Sequence, residues 1–178
     1  MKKNILIYGL IAGLIITTMM VCTAYLCYQK EDFQGNMFLG YATMIVAFSM
    51  IFVGIKNYRD KQLGGIISFG SAFKLGLYIS LIASTMYVVV WLFDYYLFIP
   101  DFMEKYSSHV IKQYQDSGMG AAELKKEIDN MNWYKDMYKN PLFVVLLTYM
   151  EVLPVGAVVA LISALILKKK SISLEAQV

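Results

Sequence analysis

Four long uncharged runs dominate the pattern of hydrophobic and polar positions in this sequence. The runs are Ile5–Tyr28, Met37–Ile55, Leu75–Phe93 and, with one charged residue inside it, Leu142–Leu167. A bilayer core about 30 Å thick is crossed by about 20 helical residues, so each run is long enough to span it. The pattern therefore predicts an all-α integral membrane protein with four transmembrane helices. The predicted spans cover roughly residues 5–28, 37–55, 73–99 and 142–167.

These spans are predicted to form one membrane domain, residues 1–170, followed by a short cytoplasmic tail, residues 171–178. The composition agrees, because 58% of the residues are hydrophobic and only 16% are charged, against about a quarter in soluble domains. The first run exceeds the roughly 7–15 apolar residues of a signal peptide, which favours an uncleaved span. A cleavable signal peptide ending near Ala24 is the alternative.

The basic residues predict the orientation of the spans. If the chain crosses the membrane four times, nine of its sixteen basic residues fall on one side. These nine are Lys2, Lys3, Lys56, Arg59, Lys61, Lys74, Lys168, Lys169 and Lys170. Because basic residues in short loops stay cytoplasmic, both termini are expected in the cytoplasm. The same residues flank spans and form no continuous basic stripe, so we expect no binding to nucleic acid. The expected partner is the lipid bilayer.

The segment between the third and fourth spans, about residues 101–140, is predicted to be an extracytoplasmic amphipathic helical hairpin. Asp101 and Glu104 have the spacing of a capping box. Residues with helical spacing then form two apolar faces, separated by the helix-breaking run 117–120. The first face is Phe102, Tyr106, Val110 and Tyr114, and the second is Leu124, Ile128, Met131 and Tyr138.

The loop between the second and third spans contains a candidate cytoplasmic interfacial segment. It comprises Ser68, Phe69, Phe73 and Lys74. Ser68 or Ser71 is expected to cap the third helix, and Lys74 to extend its amine toward the headgroups. The glycines of this loop lack the spacing of a phosphate-binding loop, since Gly70 is followed by Ser71 and not by lysine.

Small residues recur every four positions in the first and fourth spans. Gly9 and Gly13 form one such stripe, and Gly156, Ala160 and Ala164 form the other. Such stripes let helices approach closely, so we expect the first and fourth helices to pack together. The alternative is that small residues are merely common in membrane helices.

Glu151 is the most informative residue, because a carboxylate inside a membrane span is a functional-site hypothesis by default. Counting along the helix places it in the outer half of the membrane, far from Lys74 and at the depth of Asp94. Pro154 removes the amide that would bond the Met150 carbonyl, so a polar groove is expected beside Glu151. The candidate intramembrane polar site is therefore Glu151, Pro154 and Asp94. One interpretation is that the two carboxylates share a proton or hold a cation. The alternatives are a neutral Glu151 hydrogen-bonded to another helix, or a contact with a partner.

No catalytic set, metal site or cofactor motif emerges from the sequence. His109 is the only histidine, and no second ligand stands at zinc-site spacing from it. No serine lies in a Gly-x-Ser-x-Gly elbow, because Ile66 precedes Ser68 at the first glycine position. We therefore expect no enzymatic activity and no cofactor.

Several of these segments together carry a family resemblance. They are Ser68-Phe69-x-x-Ala72-Phe73-Lys74-x-Gly76, the hairpin, Asn140-Pro141, Glu151-x-x-Pro154-x-Gly156 and Leu161-Ile162-Ser163-Ala164. Over about residues 3–170 the chain resembles the bacterial domain-of-unknown-function family 4199. The resemblance implies a four-span protein of the bacterial inner membrane and no particular activity.

Two functions remain open from the sequence. One is a structural or accessory membrane protein, with Glu151 used for packing or for holding a partner. The other is a small ion- or proton-coupled transporter that works as an oligomer and uses Glu151. A homo-oligomer or a membrane-protein partner is compatible with either.

Overall fold

The computed structural model describes residues 1–30 and 37–169, and within them the chain is a bundle of six α-helices. The helices are α1 (Lys2–Lys30), α2 (Met37–Gln62), α3 (Phe69–Phe93), α4 (Phe102–Asp116), α5 (Ala121–Met137) and α6 (Pro141–Leu167). A π-helical turn, Asp94–Phe98, extends α3. The predicted cytoplasmic tail, residues 171–178, lies outside the described residues.

Four helices are long and apolar enough to cross a membrane, which confirms the all-α integral membrane fold. The four are Lys2–Gln29, Gly40–Gln62, Phe69–Phe98 and Pro141–Leu167. The helices exceed the uncharged runs at some ends. For example, α2 continues from Ile55 to Gln62, because charged residues such as Lys and Arg are good helix formers outside the bilayer core.

Helix α3 lies at the centre of the bundle and makes its largest contacts with α6 and α1. Helix α2 also packs against α1 and α6, and it has a smaller contact with α3. The expectation that the two small-residue stripes pack against each other is wrong, because both pack against α3. Gly9 faces Ile82, and Gly156 faces Ser80. A Cβ atom at Gly76 of α3 would lie 2.8 Å from the Cβ atom of Ala160. Small residues thus bring two helices close to α3 on opposite sides.

One end of the bundle, here called the loop end, contains the start of α1, the α2–α3 connection and the end of α6. Gly64 and Gly65 have φ angles of +61° and +89°, which L side chains rarely adopt, and they end α2. Ser68 caps α3 as predicted, accepting a hydrogen bond from the Ser71 amide at 3.3 Å. The backbone of Ile67 pairs with that of Lys169 through bonds of 3.2 and 2.9 Å. This connection therefore fastens α6 to α2 and α3.

The other end, here called the hairpin end, contains α4 and α5, which pack against each other as the predicted hairpin. The expected capping box is wrong, because the Asp101 side chain makes no capping bond. Its carboxylate instead accepts a hydrogen bond from the Tyr28 hydroxyl at 2.6 Å and pairs with Lys105 at 3.3 Å. A long-range contact to α1 thus replaces the local one.

Candidate functional site

Glu151 lies on α6 and borders a cavity of about 190 Å³ at the hairpin end. The other lining residues are Tyr87, Trp91, Tyr138 and Thr148. Glu151 is exposed on the surface of the bundle, so the cavity is reached from that surface. Its position agrees with the depth predicted from the sequence, in the half of α6 nearest the hairpin.

Three elements position the cavity side chains. Tyr87 and Trp91 are one turn apart on α3, and Thr148 and Glu151 are about one turn apart on α6, so each pair shares a helix face. Tyr138 comes from the turn that precedes α6. Asn140 holds this turn by capping α6, since its side chain accepts a hydrogen bond from the Leu142 amide at 3.0 Å.

Aromatic contacts fix the wall that the hairpin contributes. The rings of Tyr138 and Tyr95 meet edge to face with centroids 5.5 Å apart, and Tyr138 and Phe143 do so at 6.3 Å. Trp91 meets Phe102 of α4 edge to face at 5.6 Å. Such pairs add stability beyond area burial. The cavity is therefore bordered by side chains whose rings are already held in place.

The polar groups around the cavity are mostly unpaired with protein. Thr148 donates to the Val144 carbonyl at 2.7 Å, within its own helix. In the described ranges, no protein group forms a hydrogen bond or ion pair with the Glu151 carboxylate or with the hydroxyls of Tyr87 and Tyr138. The described residues therefore provide no hydrogen bond from a neighbouring helix to Glu151, and that hypothesis stays a prediction.

Tyr138 remains a hydrogen-bond donor at physiological pH. Burial of the phenol, and secondarily the negative charge of Glu151, raise the pKa of Tyr138 to about 12. Tyr138 and Glu151 line the same cavity. The protonated hydroxyl can both donate and accept a hydrogen bond.

Asp94 is not among the cavity residues. It lies half-buried in the π-helical turn, nearer the hairpin than Tyr87 and Trp91. The structure brings Glu151 together with tyrosine and tryptophan side chains, and it does not bring the two carboxylates to one site. The hypothesis of a proton or cation shared between them therefore has no geometric support in the described chain.

Pro154 lies one turn from Glu151 in the continuous helix α6 and is exposed on the bundle surface. Its ring cannot donate to the Met150 carbonyl, which leaves a backbone acceptor beside Glu151. The Met150 side chain is 75% exposed. This part of α6 therefore presents a carboxylate, a proline and a flexible apolar side chain on the outside of the bundle.

The candidate interfacial segment lies at the opposite end. Phe69 and Phe73 stack with ring centroids 5.8 Å apart, and Lys74 is exposed in the second turn of α3. Tyr87 follows Lys74 by thirteen positions in α3, about 20 Å along the axis. Ser68, Phe69, Phe73 and Lys74 thus form a group separate from the cavity.

Sequence reasoning did not assign Tyr87, Trp91, Tyr138 or Thr148 to the site. The spacing of Tyr87 and Trp91 was a usable signal, because residues four apart share a helix face. No local sequence pattern places Tyr138 beside Glu151, because the two residues meet only when the turn before α6 folds back onto that helix. In the described chain, no group of three or more His, Cys, Asp and Glu side chains could hold a metal ion.

The fold and the cavity define a four-span, all-α membrane protein with an acidic, aromatic cavity at its hairpin end. Residues 7–169 match DUF4199, a family described as protein of unknown function, and the chain belongs to this family. No curated protein matches the chain. No solved structure matches it.

Proposed function

We propose that this protein is a non-enzymatic accessory component of the bacterial inner membrane, with both termini in the cytoplasm and the hairpin outside. Its working part is the hairpin end, where the cavity lies. The loop end serves to hold the bundle together.

The closed packing of α3 against α6 below the cavity carries this proposal. Gly156 faces Ser80, and Gly76 faces Ala160, with no room for a Cβ atom at either glycine. The next layers contain fully buried side chains such as Phe48, Ile51 and Ile79. A path through a single copy would have to separate these helices. A protein that holds something at one face has no need of such a path.

The positions of the basic residues support the orientation. The Met1 amine donates to Gln62 at 3.2 Å, and Arg59 donates to the Leu167 carbonyl at 3.3 Å. These bonds gather the lysine-rich start of α1, the end of α2 and the end of α6 at the loop end. Basic residues concentrate on the cytoplasmic side of membrane proteins.

Cysteine labelling tests this orientation. With both native cysteines replaced by serine, a membrane-impermeant thiol reagent should label Gly118→Cys in intact cells and should label Asp60→Cys only after the membrane is opened. The reverse pattern would overturn the orientation.

A flux assay tests the accessory role. The purified protein is reconstituted into vesicles with a pH-sensitive dye, and a potential or a pH gradient is applied. We expect no proton or cation flux above that of protein-free vesicles. A flux that Glu151→Gln abolishes, while the protein remains folded and incorporated, would contradict the accessory role and establish the carrier.

The carrier is the second candidate, and one observation favours it. Ser80 and Ser84 are fully buried on α3, and their hydroxyls have no hydrogen-bond partner in the described chain. Ser84 lies about one turn, and Ser80 about two turns, from the cavity residue Tyr87 toward the loop end. Hydroxyls at this depth are the groups that a proton or cation moving inward from Glu151 would meet.

A further inference from the structure

The cavity beside Glu151 combines a carboxylate with aromatic rings and free hydroxyls, and this combination indicates its ligand. We propose that the cavity binds an ammonium group, carried by a small organic amine or by the headgroup of a lipid. The inference goes beyond the proposed function, because an accessory protein and a carrier could both hold such a group.

The carboxyl group of Glu151 favours a cationic ligand. None of the ion pairs in the described chain includes Glu151, although basic residues pair with Asp60, Asp101, Glu104 and Asp136 elsewhere. A carboxylate in a membrane span is costly unless a positive charge or hydrogen bonds compensate it. An anion would be repelled, and a neutral ligand would leave the carboxylate uncompensated.

The residues around Glu151 favour an ammonium group over a metal ion. A bare cation such as Ca²⁺ takes six to eight oxygen ligands, and this cavity contains one carboxylate. An ammonium group needs only a few acceptors, which the Glu151 carboxylate and the Tyr87 and Tyr138 hydroxyls supply. Tyrosine and tryptophan rings also attract organic cations, and Trp91 is the strongest of the aromatic side chains in this respect.

The size and access of the cavity limit the ligand further. A volume of about 190 Å³ is below the roughly 300–1,000 Å³ of sites for drug-sized molecules. It suits an amine with a few carbons or the end of a headgroup. Because Glu151 and Pro154 are exposed on the bundle surface, a lipid beside α6 can reach the cavity as readily as a soluble amine.

Trp91 provides a direct reporter. The chain has two tryptophans, so Trp133→Phe leaves only Trp91, which borders the cavity. This variant is placed in nanodiscs of phosphatidylglycerol, which has no ammonium group, and titrated with ethanolamine hydrochloride while Trp91 emission is recorded. A second set of nanodiscs contains increasing phosphatidylethanolamine. Ethylene glycol is the neutral control, and sodium chloride is the ionic-strength control.

We expect a saturable change in Trp91 emission. A response to ethanolamine identifies a free amine as sufficient, and a response confined to phosphatidylethanolamine identifies the headgroup as the source. Glu151→Gln should weaken binding by about tenfold or more, because a charge-assisted hydrogen bond is lost. Asp94 is an acid at the same end but outside the cavity, so Asp94→Asn should change the binding affinity less than about twofold.

Three results would each overturn the inference. They are no saturable response to either amine source, an equal response to ethylene glycol or sodium chloride, and equal binding by folded Glu151→Gln. Circular dichroism and size-exclusion profiles identify a misfolded variant. If Glu151→Gln does not fold, Tyr138→Phe takes its place, with weaker binding expected and unchanged binding contradicting the proposal.

Discussion

The polar groups at the loop end and those around the cavity at the hairpin end differ in their hydrogen bonding. At the loop end, Asn4 is buried, donates to Asn57 at 3.3 Å and accepts from Gln62 at 3.0 Å. At the hairpin end, Glu151 and the hydroxyls of Tyr87 and Tyr138 border a cavity without protein partners in the described chain. Polar groups that stabilise a fold are normally bonded to one another. The difference supports the proposal that the cavity at the hairpin end holds a ligand, whereas the polar groups at the loop end stabilise the bundle.

The largest expected effect comes from the contact that separates the two ends. Gly156→Leu forces a side chain into the space of Ser80 and Phe48 and should destabilise the bundle by about 1–3 kcal/mol or more. Gly40→Leu is the matched control, because no described atom lies within 4 Å of its Cβ position. Thermal unfolding in detergent measures both. Equal stability of the two variants would contradict the central packing of α3.

Exchanging one polar residue at each end tests the comparison directly. Asn57→Ala leaves the buried Asn4 without one partner and should cost about 1–3 kcal/mol. Glu151→Gln should be neutral or stabilising, since no protein bond is lost and a charge is removed from the membrane. The measurement is the unfolding temperature of the two variants beside the native chain. A larger loss for Glu151→Gln would reverse the roles of the two ends.

The contact between Tyr28 and Asp101 fastens the hairpin and depends on pH. The hydrogen bond from Tyr28 is the main cause that lowers the pKa of Asp101. A lowered pKa means that the stabilisation is present above the unfolded pKa, about 4, and is lost as the pH falls through the folded value. The protection of α4 amides against hydrogen exchange, measured relative to the intrinsic exchange rate at each pH, should therefore fall in acid. In Tyr28→Phe, this protection should already be lower at neutral pH and respond less to acid, and unchanged protection would contradict this contact.

The smallest effect is expected within the hairpin. Lys135 and Glu104 form an exposed ion pair at 3.3 Å between α5 and α4. Exposed pairs contribute little, so Glu104→Gln should cost less than about 0.5 kcal/mol, and the difference should vanish in high salt. Unfolding at two salt concentrations measures it. A large, salt-independent loss would show that the hairpin depends on this pair.

The four spans and the hairpin could be predicted because they follow from local patterns. Uncharged length identifies a span, and four-residue spacing identifies the apolar faces around the break at 117–120. Helical register also placed Glu151 away from Lys74. Each of these inferences needs only the rise of a helix and the thickness of a bilayer.

The remaining features depend on which helices are neighbours, and a single sequence does not contain that information. The stripe at Gly9 and Gly13 indicates a close contact but not that Ile82 and Met86 provide it. Asp101 has capping-box spacing, yet a tyrosine on another helix binds its carboxylate. Tyr138 reaches the cavity only because the turn before α6 folds inward. Which residues line the cavity is therefore determined by the tertiary fold and not by local sequence patterns.

The central position of α3 also has a consequence for biosynthesis. Because α6 follows α3 and the hairpin in the chain, Gly76 and Ser80 are made before the helix that packs against them. Until α6 is in place, this face of α3 must border something other than its final partner. The Ile67–Lys169 backbone pairing needs a complete α6, because Lys169 follows this helix, so the loop end of the bundle closes late in synthesis.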